Sequence, residues 1–130
     1  MKLKGMTLTE LLVVLAILGV LLLLAFPVLK PLFSKTHAME AKTNLKHLAE
    51  LQNVYHLEHY QYAPVFEHVG FAQAPLITEN GTAHYQIEIL KADREGFLAR
   101  ATSITDFDGD GIMNVWEVDH SAVPREIQAD

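Results

Sequence analysis

Asp106, Asp108, Asp110 and Glu117 stand at the acidic positions of a twelve-residue calcium loop, Asp-x-Asp-x-Asp-Gly-x5-Glu, in the stretch Asp106-Phe107-Asp108-Gly109-Asp110-Gly111-Ile112-Met113-Asn114-Val115-Trp116-Glu117. Calcium takes about six to eight oxygen ligands. The spacing offers the three aspartates, the Ile112 carbonyl, Asn114 directly or through water, and a bidentate Glu117, with Gly111 at the sharp turn. Asp, Asn and Gly are also the ordinary residues of turns, so a plain turn into a following strand reads equally from the same letters. On a regular strand Asn114 and Glu117 point to opposite faces and cannot both meet one ion. Either the strand starts late or Glu117 is not a ligand, which leaves Asp106, Asp108 and Asp110 as the firmest candidates.

A second carboxylate is placed more oddly. Glu10 heads a run of nineteen residues, Leu11 to Leu29, without a single charge. Thr7-x-x-Glu10 is a capping-box pattern, in which the Thr7 hydroxyl accepts from the amide of residue 10 and Glu10 reaches back. Capping alone would be served as well by glutamine. In low dielectric an ionised carboxylate needs a partner charge, so the position also suits a paired role.

No other constellation points to chemistry. The chain has no cysteine, which removes disulfides, thiolate metal sites and thiol nucleophiles. Seven histidines are present, but His56 and His59 on the long helix lack a third ligand at a known metal spacing. His84 and Glu88 share a strand face with no nucleophile near them, and Ser34, Ser103 and Ser121 lie in no nucleophile motif. The expectation is therefore no catalytic residues and no enzyme activity. A formal charge of -6 over 130 residues, with the acids mostly in the C-terminal half, argues against direct nucleic-acid binding.

The elements that must position these groups follow from the hydrophobic pattern. Nineteen apolar residues make a helix of about 28 Å, close to the roughly 30 Å of a bilayer core, and no polar face interrupts it. Leu23-Leu24-Ala25-Phe26-Pro27 offers no small-x-small cut, so the segment stays on the protein as a membrane span. A bend is expected near Gly19 or Pro27, with Pro31 repeating the disturbance. From Ser34 to about Tyr60 the pattern is amphipathic, Ala38, Ala41, Leu45, Leu48 and Tyr55 falling at helical spacing, so one helix of some fifty residues is expected to end at Tyr62-Ala63-Pro64. Residues 65–82 read as a loop with at most short local structure. Strands are expected at Ala83 to Ile89, Phe97 to Thr102 and Ile112 to Val118, with a turn at Lys91 to Gly96 and Trp116 in the core. The fold class is α+β: a long N-terminal helix with a small antiparallel sheet packed on its second half.

Basic Lys2 and Lys4, Gly5, the acidic residue five places on at Glu10 and the apolar run together resemble the N-terminus of a type IV prepilin. The resemblance is strong from Met1 to about Leu29. Pro27 falls where many pilins carry a helix-breaking proline, and Asn114-Val115-Trp116 resembles the turn into the last strand of many of them; Met6 departs from the usual phenylalanine. The resemblance implies a leader at 1–5 removed between Gly5 and Met6 by a prepilin peptidase, N-methylation of Met6, an assembly helix at 6–33 and a globular head at 34–130. It implies that Glu10 pairs with the amino terminus of a neighbouring subunit. Partners would be copies of the chain, other pilins, the inner-membrane assembly platform and, for the precursor, the bacterial inner membrane. The product would be an extracellular pilus serving adhesion, twitching movement or DNA uptake. Loss of Lys2 and Lys4 would take the formal charge from -6 to -8. Two other readings stay open: a type II secretion pseudopilin in a periplasmic filament, and a membrane-anchored calcium-dependent binding module.

Overall fold

The computed structural model describes residues 5–130, so Lys2 and Lys4 of the expected leader lie outside the described residues. One helix, α1, runs over Leu8–His59, 52 residues or about 78 Å. It starts as the sequence dictates: Thr7 is extended, its hydroxyl accepts from the Glu10 amide at 3.3 Å, and the Thr7 amide donates to the Glu10 carboxylate at 2.8 Å. Pro27 and Pro31 both lie inside the helix, which continues through them. Each proline removes one backbone donor within a continuous helix of the length expected. Length and composition suffice for this helix to cross a membrane, its most apolar window having a mean hydropathy of 3.1. Every residue described from Gly5 through Phe33 is exposed, so no part of the head covers this half.

The second half of α1 is the floor of the core. Ala38, Ala41, Leu45, Leu48, Ala49 and Gln52 recur at three- and four-residue steps and are all buried. The alanines let the sheet approach closely, while Leu45 and Leu48, fully buried, each contribute on the order of 2 kcal/mol. The helix stops at Tyr60, which takes the left-handed conformation (φ 57°) and whose amide donates to the His56 carbonyl. Buried Gln52 then fixes the exit: its amide group donates to the Ala63 carbonyl at 2.7 Å and accepts from the Ala63 N–H at 2.8 Å.

Residues 65–82 hold a short helix α2, Phe66–Val69, and a 3-10 turn, Ile77–Glu79. The sheet is a meander of four antiparallel strands in sequence order: β1 Tyr85–Ala92, β2 Phe97–Ser103, β3 Val115–Asp119 and β4 Arg125–Gln128. Three strands were expected; β4 is the correction. It has four residues, all exposed, and therefore lacks the alternation that marks a half-buried strand. β3 also begins at Val115, three residues later than expected, because the acidic loop extends to Asn114.

Tyr85, Ile87, Ala99, Ala101, Trp116 and Val118 face the helix and close the core. The outer face carries a row of alternating charge, Glu88 opposite Arg100, Arg100 opposite Glu117, Glu117 opposite Arg125. Such opposed pairs fix register at roughly 0.2–1 kcal/mol each. Helix and sheet are joined by Glu40, whose carboxylate accepts the amides of His84 at 2.9 Å and Tyr85 at 3.3 Å.

Candidate functional sites

At the N-terminus, Gly5 and Met6 are exposed and precede the helix, with nothing near the position a Gly5 side chain would take. Among the described residues Glu10 is engaged by Thr7, through the Thr7 amide and the Thr7 hydroxyl, both at 2.8 Å. The capping arrangement is therefore real, and it leaves the carboxylate on the surface beside Leu11, Val13 and Val14, which are themselves exposed. Pro27 sits on the same uncovered half of α1.

The acidic loop is built by its own amides. Asp106 accepts from Gly109 at 2.6 Å and Gly111 at 2.7 Å, Asp108 accepts from Asp110 at 2.9 Å, and Asp110 accepts from Ile112 at 2.7 Å. Gly109 and Gly111 make the winding possible with φ of +83° and +86°. From the far side Asp130, beyond β4, accepts the amides of Phe107 at 2.9 Å and Asp108 at 3.2 Å. One carboxylate oxygen from each of Asp106, Asp108, Asp110 and Asp130 thus lies within 4.8 Å of the others. The Gly111 amide above all, with the other donors around it, holds the Asp106 carboxyl below the usual carboxylate range. Hard carboxylate oxygens of this kind are the donors that calcium takes, and four of the roughly six to eight it needs converge here. A cleft of about 240 Å³ opens here between Asp108, Asp110 and Asp130 on one side and Pro31 and Ser34 of α1 on the other.

The structure regroups the residues that the spacing put together. Asp106, Asp108 and Asp110 meet, and Asp130 joins them; Asn114 and Glu117 go elsewhere. Glu117, on the outer face of β3, accepts from Nε and Nη2 of Arg100 at 2.9 and 2.6 Å. Asn114 is buried and is a polar hub: its oxygen accepts from the Tyr85 hydroxyl at 2.8 Å and Trp116 Nε1 at 2.6 Å, while its nitrogen donates to Glu126 at 2.8 Å and the Gln128 carbonyl at 2.9 Å. Ile112 stays beside the aspartates through its amide, bonded to Asp110. Asp130 was missed because only the unforeseen strand β4 carries it back to the loop.

Trp116 is core, with the Lys42 ammonium 4.5 Å above its ring. His56 stacks on Tyr62 and His59 on Tyr55, which accounts for both by packing. Beside the acidic loop His37 stacks on Phe107 at 4.6 Å and lies 4.2 Å from His84. Burial first, and the neighbouring His84 second, lower the His37 pKa against an opposing pull from Glu40.

Residues 1–26 match the family described as the prokaryotic N-terminal methylation motif. The type IV major pilin protein PilA of Myxococcus xanthus (strain DK1622) is 38% identical over 69 residues, which cover 53% of this chain. The aligned stretch spans 31% of that protein's length.

Proposed function

We propose that this chain, a pilin or pseudopilin by its N-terminal methylation motif and its α+β layout, is the structural subunit of a type IV pilus. A prepilin peptidase cuts between Gly5 and Met6, the Met6 amine is methylated, and the subunit passes from the inner membrane through the assembly platform into a surface filament. The leader is 1–5, the assembly helix 6–33 and the head 34–130. The observation that carries this reading is the uncovered half of α1: the described residues from Leu8 to Phe33 are exposed, and Glu10 is the one carboxylate among them. So large an apolar surface requires lipid before assembly and other subunits after it.

Once neighbours exclude water and lipid, the Glu10 carboxylate meets the amino terminus of the next Met6. Removing one partner of such a pair strands the other and costs roughly 3–5 kcal/mol per contact. Calcium, held by Asp106, Asp108, Asp110 and Asp130, would supply positive charge that fastens the loop to β4. An acidic cluster of this kind also suits the pseudopilin reading, in which the filament stays periplasmic. Glu10→Gln is the test: it preserves the cap and removes the charge. Processed protein in the membrane with little or no sheared filament is expected, and normal filaments would overturn the pairing.

A further inference from the structure

Position 81 must be glycine. A Cβ built there would lie 1.8 Å from the Pro75 carbonyl oxygen and 2.6 Å from the Pro75 Cβ, contacts no rotamer can relieve. The residue before it is Asn80, exposed and in the left-handed conformation (φ 60°, ψ 25°) that closes the 3-10 turn. The fold thus obliges the chain to carry glycine directly after Asn80, giving Asn-Gly, the pair in which no side chain shields the backbone nitrogen that can attack the asparagine amide.

The same loop withholds that nitrogen. The Gly81 amide donates to the Leu76 carbonyl at 2.9 Å, and the Thr82 and Ala83 amides both donate to the Pro75 carbonyl at 3.0 Å. Ile77 returns a bond to the Ala83 carbonyl at 3.0 Å, so the segment is tied from both sides directly before β1. Ring closure needs the Gly81 nitrogen deprotonated and rotated onto the Asn80 Cγ. Neither is compatible with the Leu76 bond and the held ψ.

We propose that Asn80–Gly81 is a latent self-modification site, kept closed by the Pro75–Ala83 loop and converted only when that loop opens. In the open state a base takes the Gly81 amide proton, the nitrogen forms a bond to Asn80 Cγ, and ammonia leaves, giving a succinimide. Water then opens either carbonyl to aspartate or isoaspartate. Isoaspartate adds a methylene to the main chain at its tightest packing point, and either product adds a negative charge beside Glu79. The loop cannot regain its contact with Pro75 once isoaspartate forms, so each opening that converts leaves a permanent mark on the head.

Full-length protein in detergent, incubated at mildly alkaline pH with and without guanidinium and then digested, tests this by mass spectrometry of the peptide spanning Asn80. A minor open population makes conversion in the folded protein at least about tenfold slower than in the unfolded one. Thr82→Pro removes one donor to Pro75 and speeds conversion in the folded state. A ratio below tenfold, an unfolded chain that does not convert, or a folded Thr82→Pro protein that converts no faster than wild type would each overturn the proposal; if that variant does not fold, the wild-type ratio decides.

Discussion

Asn114→Leu separates a core hub from a metal ligand. Leucine has asparagine's branching but is bulkier, so the substitution opens no cavity, but it leaves the Tyr85 hydroxyl and the Trp116 N–H without their shared acceptor. Tyr85 is wholly buried and Trp116 nearly so, and each orphaned group costs about 1–3 kcal/mol. Glu126 and Gln128 are exposed and recover their bonds from water, so the loss centres on about 3–4 kcal/mol. For a head of this size that lowers Tm by on the order of 20 °C. Thermal melts of the full-length protein in detergent, followed through Trp116, the one tryptophan, measure it directly. Adding Tyr85→Phe to the variant removes one orphaned hydroxyl and restores about 1–3 kcal/mol. A loss below about 1 kcal/mol, or one that disappears in chelator, would refute the assignment.

Two further outcomes follow from the regrouped loop and its neighbours. Calcium is expected to raise the melting temperature of wild-type protein; Asp108→Asn and Asp130→Asn each abolish most of that rise, whereas Glu117→Gln keeps it and loses no more than about 1 kcal/mol with the Arg100 pair. Equal calcium responses in Asp130→Asn and wild type would remove Asp130 from the ligand set. His37 binds its proton less readily in the folded head than its ordinary value of 6.5 allows. Its contribution is therefore complete above that pH and lost as pH falls below it. Denaturant melts from about pH 8 to about pH 5 check this, with His37→Phe flattening the decline while preserving the stack on Phe107.

The helix was legible because its signals are local and long: a capping box, an apolar run and then an amphipathic face whose members, from Ala38 to Gln52, are buried as their spacing requires. Its passage through Pro27 and Pro31 was legible too, since the apolar run and the amphipathic face read as one element across both prolines. β1 and β2 read from alternation, but β4 could not, as Arg125 to Gln128 are all exposed and show no apolar alternation. That one hidden strand explains the loop as well. The twelve-residue spacing counts ligands along the chain, whereas here the fourth carboxylate arrives from Asp130, across a hairpin, and Glu117 follows the strand's parity to the outer face beside Arg100. Asn114 shares the inward parity of Trp116 and Val118, which makes it part of the core.

Intact mass and N-terminal sequence of the native protein in sheared surface material decide whether this chain is a processed pilus subunit. A chain beginning at N-methylated Met6 within the extracellular filament is expected, as is its loss from that material when Gly5→Val blocks the cut. The same processed chain confined to the membrane fraction would replace the pilus with a pseudopilus; a Met1 start would rule out processing at Gly5 and with it the filament subunit.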